Sequence, residues 1–490
     1  MSATTAPASL ADADPKRWLA LVVLLTGTFL PAFDFFVVNV ALPAMQSNLG
    51  ARPAELQFVV AGYGLAFALL LVTGGRLGDL FGRKRMFMAG MAGFTLASAL
   101  CGLATTPTQL IGARVLQGLT AAIMNPQVLA IIRVTFPAHE RSRAIGYFGT
   151  TLGVASIAAQ LIGGALVQAD VAGLSWRPIF LVNVPIGALA LLAAARMLQE
   201  SRATGRPSLD PGGIAIGSVA LLLLVYPLVE GREAGWPVWA WIALACAVPA
   251  FAGFISYEWA LQARGRVPLV NLRLFRDRMF AMGLVMTMIF FSGLAAFFLS
   301  ITIYLQDGFG FSPLATGLVF AAFGAGFVFG SMVSAGVARR LGTRTISLGT
   351  GLMGTGLVAI VLLAWWAGAG PLDRRFLVPV MTMYGTGQGL ALPTLVAFVL
   401  GSRGITPQDA GSASGVFSMI QQVAFALGVT IIGGVYFSRL GAATDGATYN
   451  AALAATLACN AGLQAVTCIL AFALRGMSPA SASAHAAIVE

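Results

Sequence analysis

Long apolar runs broken by short polar stretches repeat along the whole chain. A helix needs about 20 mostly apolar residues to cross the hydrocarbon core of a bilayer, and fourteen runs of that kind are predicted as spanning helices. They lie near residues 18–41, 55–75, 86–105, 108–132, 143–168, 178–197, 212–229, 237–257, 280–304, 314–336, 345–367, 376–400, 409–436 and 450–474. The shortest connection, "EGREAGWP", separates the seventh and eighth runs. The pattern predicts an all-α integral membrane protein.

Composition strengthens this reading. Of 490 residues, 58% are hydrophobic and only 10% charged, against about 25% charged in soluble proteins. So little polar surface cannot cover a soluble globule. The chain also holds 58 glycines, which suit close helix approach in lipid.

Charge supplies the orientation. Basic loops stay in the cytoplasm, and an N-terminus on that side leaves 22 of the 29 basic residues cytoplasmic. The opposite side carries Arg52, Arg177, Arg232, Arg374, Arg375 and Arg439, and Arg114 falls inside the fourth span. Both termini are therefore expected in the cytoplasm. The net charge of +11 is scattered among loops, where it marks topology and gives no reason to expect nucleic acid. Lys16 and Arg17 before the first span look like the start of a signal peptide, but the run is long, contains Asp34 and lacks a small-residue cleavage site, so no cleavage is expected. Cys101, Cys246, Cys459 and Cys468 lie in spans, with no metal-ligand spacing to one another or to His139 and His485. No catalytic triad or phosphate loop is present, so neither an enzyme nor a metal or other cofactor is expected.

The spans group as six, two and six. The predicted divisions are a tail over 1–17, a six-helix bundle over 18–198, a linker with an inserted pair and a basic loop over 199–279, a second six-helix bundle over 280–475 and a tail over 476–490. A faint internal echo accompanies this grouping. "GRLGDLFGRKR" (75–85) follows span two and "AGVARRLGTRT" (335–345) follows span ten, with Gly82 corresponding to Gly342 and Asp79 to Arg339. Such repeats are common in transporters. The basic loop 260–280, where Arg264, Arg266, Arg273, Arg276 and Arg278 alternate with apolar residues, reads as an interfacial segment joining the bundles.

Several stretches resemble the major facilitator superfamily, and within it the fourteen-span drug:proton antiporter family. They are "FDFFVVNVALP" (33–43) in span one, "GGRLGDLFGRKR" (74–85) after span two, "LIGARVLQGLTAA" (110–122) in span four, "SWRPIFLVNVPIG" (175–187) at the start of span six and "AGSASGVFSMIQQVAFALG" (410–428). The resemblance covers nearly the whole chain and implies two six-helix bundles around a central cavity, with an inserted helix pair. One departure stands in span five. The family motif there ends Gly-Pro-x-x-Gly-Gly; "LGVASIAAQLIGG" (152–164) keeps Gly163 and Gly164 as helix-packing residues but has Ala159 and Gln160 in the Gly-Pro places. Without proline, span five is expected to be straighter. The departure makes transport a firmer carry-over than antiport.

An ionisable group inside a span costs at least about 2.5–3.5 kcal/mol and marks function by default. Asp34, among phenylalanines and valines, is therefore the candidate proton site, with Arg114 as the partner in the implied fold. Gly75, Asp79, Gly82, Arg83 and Arg85 form the expected gate, in which Asp79, oriented by Arg83, meets the start of span thirteen near 406–415 and closes the cytoplasmic side. The candidate substrate cavity comprises Phe33, Asn39, Gln117, Asn125, Gln160, Phe291, Gln388 and Gln421. Phe291 belongs to an aromatic stretch, "IFFSGLAAFF" (289–298), preceded by Met282, Met286 and Met288, a kind of surface that adapts to varied apolar ligands.

The expected function is secondary active transport by rocking-bundle alternating access, exporting a lipophilic small molecule against inward proton flow. Span interiors nine to fourteen lack an acid, so a divalent cation has few partners and a neutral, monocationic or anionic substrate fits at least as well. The expected partners are the small-molecule substrate, protons and the lipid bilayer, for a monomer in a bacterial inner membrane. Metabolite uptake or facilitated passage is the alternative. A non-transporting sensor or scaffold is more remote, because it calls for an appended soluble domain.

Overall fold

The computed structural model describes residues 17–202, 210–266, 268–402, 405, 410–441 and 445–474. Among them are fourteen helices long and apolar enough to cross a membrane. In chain order these are α1 (Arg17–Leu49), α2 (Pro53–Phe81), α3 (Arg83–Leu103), α4 (Pro107–Thr135), α5 (Ala138–Ala169) and α6 (Pro178–Leu181, continued by Asn183–Met197). The inserted pair is α7 (Pro211–Glu233) and α8 (Val238–Ala263). Then come α9 (Arg278–Ile303, ending in a wide turn over Tyr304–Gly308), α10 (Pro313–Leu341), α11 (Arg344–Ala367) and α12 (Arg374–Leu400). The last two are α13 (Ala410–Leu427, extended through a wide turn over Gly428–Ile432 into Gly433–Leu440) and α14 (Gly446–Ala473). Each of the fourteen expected spans has its helix, most of them longer by a turn or two at one end.

The ends follow local chemistry. Thr106 accepts the Gln109 amide and is followed by Pro107; Ser312 accepts the Ala315 amide and is followed by Pro313. A short side-chain acceptor satisfies an orphan donor of the first turn, and proline at the first position has no N–H to orphan. Gly82 separates α2 from α3 with φ +108°, and Gly342 separates α10 from α11 with φ +57°. Both backbones lie where a side chain is strained, so the echo between the two loops extends to conformation.

Packing sorts the helices into two six-helix bundles. In the first, α4 packs on α2 and α3, and α1 on α5; in the second, α12 packs on α10 and α11, and α11 on α14. A Cβ on Gly74 would stand 2.1 Å from the Ala122 carbonyl oxygen, and one on Gly385 would stand 2.0 Å from that of Phe323. Backbones this close exclude any side chain, the small-residue packing expected where lipid offers no hydrophobic drive between helices. The bundles meet chiefly through α5 with α10 and α2 with α13. The inserted pair packs on itself and leans on α2, and α8 turns Trp239, Trp241 and Trp259 outward.

α1 runs over 33 residues with Pro31 and Pro43 inside it, so helix continuity does not register the departure in span five. α5, which lacks the proline, runs over 32 residues. Its glycines serve two partners: a Cβ on Gly163 would meet the Val37 side chain of α1 at 2.3 Å, and one on Gly164 would meet the Pro313 carbonyl oxygen of α10 at 2.6 Å.

The connection 260–280 differs from the expected surface segment. Leu269, Val270 and Leu274 are buried, and Arg76 of α2 donates a hydrogen bond to the Pro268 carbonyl. Its apolar residues have a protein core to enter, so the alternation marks packing against helices and not only a membrane interface.

Candidate functional site

One large cavity, about 1690 Å³, lies between the bundles. It opens on the face that carries the α2–α3 loop, here called the basic face. Arg76, Arg83, Arg133, Arg266 and Arg273 stand on its walls near the mouth, with Asp79 beside them. Deeper, the walls are aromatic: Phe35, Phe36, Tyr63 and Phe67 from the first bundle, and Phe291, Phe298, Phe323 and Phe425 from the second. The apex is closed by ring contacts across the bundles, Phe35 to Phe425 with centroids 4.5 Å apart and Phe36 to Phe298 at 5.6 Å.

Beyond that apex the opposite face is sealed. Gln306 donates to the Val40 carbonyl at 2.8 Å and Gln57 to the Val429 carbonyl at 3.0 Å, each joining one bundle to the other. A Cβ on Gly317 of α10 would stand 2.3 Å from the Gln160 carbonyl oxygen of α5. Together with Gly164 on Pro313, this backbone contact leaves no path between α5 and α10.

Behind the first bundle's wall lies the buried charge. Asp34 and Arg114 are both buried and paired directly. Arg114 also donates to Gln117 Oε1 at 2.6 Å and to the Val59 carbonyl at 3.0 Å. Asp34 Oδ1 accepts from Gln117 Nε2 at 2.9 Å and from Asn183 Nδ2 at 3.1 Å. Gln117 donates further to Ser98 Oγ at 2.9 Å. The guanidinium lies 4.4 Å from the Tyr63 ring centroid, a cation–π contact. Tyr63 lines the cavity and so borders both the cavity and the Arg114 guanidinium. Five helices, α1, α2, α3, α4 and α6, contribute to this one constellation.

The sequence candidates sort clearly by position. Asn125, Phe291, Gln388 and Gln421 line the cavity. Phe33, Asn39, Gln117 and Gln160 do not. Phe33 is buried and stacks on Phe29 at 5.7 Å. Asn39 returns its amide to the Phe35 and Phe36 carbonyls of its own helix. Gln160 bonds weakly to the Phe36 carbonyl at 3.4 Å, and Gln117 serves Asp34. A polar side chain in a span must find an acceptor, and each of these found protein.

Around the gate, Arg83 holds Asp79 at 2.9 Å, and both line the mouth. Of the start of span thirteen that Asp79 was expected to meet, 406–409 lie outside the described residues, while Ser414 and Gly415 line the same cavity as Asp79. Gly82 makes the turn, and Glu200 sits where its Cβ would be, accepting the amides of Lys84 at 3.1 Å and Arg85 at 3.2 Å. Arg85 is exposed and reaches Glu200 at 3.7 Å, so it faces the linker and not the second bundle. Close approach of α2 to α4 is made by Gly74 and Gly78; Gly75 has ordinary space, 3.7 Å from Pro126. The cluster members missed from sequence are Tyr63, Ser98 and Asn183. Asn183 stands in the quoted "SWRPIFLVNVPIG", an amide flanked by valines in an apolar span, which was the available signal.

The family description Major Facilitator Superfamily matches residues 24–429. The chain belongs to that superfamily. A probable actinorhodin transporter of Streptomyces coelicolor is 39% identical over 87% of this chain and 73% of its own length. The tetracenomycin C resistance and export protein of Streptomyces glaucescens is 34% identical over 87% and 77%. A puromycin resistance protein of Streptomyces alboniger is 36% identical over 86% and 82%. Among solved structures, a bacterial homologue of the human lysosomal transporter Spinster, inward-facing and unoccupied, superposes with a TM-score of 0.68 at 16% identity, covering 94% of this chain and 98% of that one. A POT family transporter matches with a TM-score of 0.68 at 15% identity, covering 93% and 96%. These last two bear on the fold alone. The protein is thus a multi-pass membrane protein of a transporter superfamily, not an enzyme.

Proposed function

We propose that this major facilitator protein exports lipophilic small molecules from a bacterial cytoplasm in exchange for protons, and that its cavity opens inward. The observation that carries the reading is the aromatic cavity ending at a wall behind which Asp34 pairs with Arg114. The basic face is the cytoplasmic one, because its loops hold most of the lysines and arginines. The similarity to proteins named for antibiotic export and resistance supports the direction.

In this reading, substrate enters the aromatic chamber from the cytoplasm. Among the described residues Asn125 Oδ1, Gln388 Oε1 and Gln422 Oε1 have no hydrogen-bond partner, and these side chains lie along the chamber wall. As acceptors they suit hydroxyl or N–H edges of an otherwise apolar ligand. Five arginines and one acid about the mouth favour neutral or anionic molecules over cations. When the opposite face opens, displacement of Tyr63 lets a proton reach Asp34. Neutralising Asp34 frees Arg114, and the amides of Gln117 and Asn183 lose the charge that holds them, so the five-helix constellation relaxes towards the inward form. Release of the proton restores the pair.

The test is transport in proteoliposomes with an imposed pH gradient and a panel of anionic, neutral and cationic aromatic dyes. Wild type should move neutral and anionic dyes as the gradient is applied, and Asp34→Asn should not respond to it. Gradient-driven transport by Asp34→Asn would remove Asp34 from the coupling step, and preference for dications would overturn the substrate class.

A further inference from the structure

Among the described residues the buried charged side chains are Asp34, Arg114, Asp210 and Glu258. The last two belong to a different place, the base of the inserted pair on the basic face. Asp210 precedes α7 and accepts the Gly213 amide at 2.8 Å and the Tyr257 hydroxyl at 3.1 Å on Oδ1, and the Leu269 amide at 3.2 Å on Oδ2. Glu258, near the end of α8, accepts the Val270 amide at 3.1 Å on Oε2. Among the described residues no donor reaches its other oxygen, Oε1.

That orphan oxygen faces Asp210. A Cβ on Gly213 would stand 2.3 Å from Glu258 Oε1 and 2.4 Å from Asp210 Oδ2. The two oxygens converge over a residue with no side chain, which brings the two carboxyl groups side by side. Two ionised carboxylates in this position have no hydrogen to share and repel one another in a site shielded from water; one proton between them removes both problems. The charged and titratable groups facing the pair are Arg76 from α2, Tyr257 from α8 and Arg266 from the following connection. Arg266 is exposed and screened by water, so Arg76 is the arginine that acts on the buried carboxyl groups, and it balances a pair carrying one negative charge but not a pair carrying two.

We infer that Asp210 and Glu258 form a second proton-binding site, separate from Asp34, which holds one proton between the two carboxyl groups and fastens the 264–277 connection across the cavity mouth. The connection is held at three points: Leu269 on Asp210, Val270 on Glu258, and Pro268 on Arg76 of the first bundle. It then runs directly into α9 of the second bundle, where Asp277 caps the Phe280 amide at 3.0 Å. Gly265, Pro268 and Asn271 of the same connection border the cavity. With the proton in place the strap joins both bundles. When it leaves to water at the mouth, Glu258, whose hold on the loop is a single amide, turns away from Asp210 and releases Val270.

The experiment uses the full-length protein in lipid nanodiscs, with spin labels at Phe81→Cys on α2 and Phe275→Cys on the connection, in a background with the four native cysteines replaced. The distance distribution in wild type should be narrow at acid pH and broaden in one titration as pH rises. Glu258→Gln, whose amide donates to Asp210 without titrating, should stay narrow at every pH. Asp34→Asn should keep the transition, which separates this site from the coupling pair whether or not that pair drives transport. A wild-type distribution of constant width would overturn the proposal by itself. So would a transition that survives in Glu258→Gln, or in Asp210→Asn should the first variant fail to fold.

Discussion

The two six-helix bundles share an architecture but differ in what their interiors hold. The first buries an ion pair, Asp34 with Arg114, wrapped in Gln117, Asn183 and Ser98. Among the described residues the second buries no charged side chain. Its interior polar groups are neutral, and several bond to backbone or to each other: Asn460 donates to the Gly293 carbonyl at 2.8 Å, Tyr304 donates to Asn450 at 2.8 Å, and Asn450 in turn ties the Gly368 and Gly370 carbonyls. Neutral bonds of this kind fix helices at any pH. An ion pair can be switched by one proton, because neutralising either member leaves the other buried and unpaired. In the proposed mechanism the first bundle therefore responds to a proton and the second does not.

The strongest way to break this contrast is to remove one member of the pair. Asp34→Ala should destabilise the protein by about 3–5 kcal/mol, since Arg114 is left uncompensated. The double variant Asp34→Leu with Arg114→Met should recover most of that stability in a thermal melt while transport stays lost. Recovery of transport as well would make the pair a packing device. In the second bundle the corresponding weak point is steric. Gly385→Val places carbon against the Phe323 carbonyl and should cost about 1–3 kcal/mol or more, read as loss of folded protein on extraction, with the same penalty at every pH.

A smaller effect is expected where the bundles meet. Gly164→Val forces α5 from α10 and should raise the reactivity of a cysteine placed at Val40 towards an impermeant reagent, because the sealed face no longer closes. Substitutions in the chamber should be milder still: Gln388→Leu or Gln421→Leu removes one hydrogen bond, about 1 kcal/mol, and should weaken binding about fivefold for hydroxylated dyes and little for apolar ones. Smallest is the cap of α14. Hydrogen bonds from the Thr448 hydroxyl and amide hold the Asp445 carboxyl below its ordinary value. The stability it adds is present above the ordinary carboxyl range and is lost as pH falls through the lowered value. Asp445→Ala should therefore lower Tm slightly at neutral pH, a difference that vanishes in strong acid.

The helix count, the grouping into six, two and six and the exceptional position of Asp34 were legible in the sequence, each for a physical reason. Lipid demands a run of about 20 apolar residues for every crossing, and a carboxylate in such a run cannot be neutral to the fold. The resemblance then named Arg114 as its partner. What could not be read was which face each polar residue turns to. Asn39 and Asn125 are both amides in spans, yet one bonds its own helix and the other lines the cavity, because that depends on helix rotation and on which backbone carbonyls lie in reach. Gln117 and Asn183 meet at one carboxylate although 66 residues separate their positions, and only the packing of α4 on α1 and of α6 behind both brings them together. Nothing in their own stretches of sequence pairs Asp210 with Glu258, for the same reason. The chain's own pattern determined where it crosses the membrane, since hydrophobicity acts residue by residue; the tertiary structure alone decided which charges are buried together, since that is set by contacts between segments far apart in the chain.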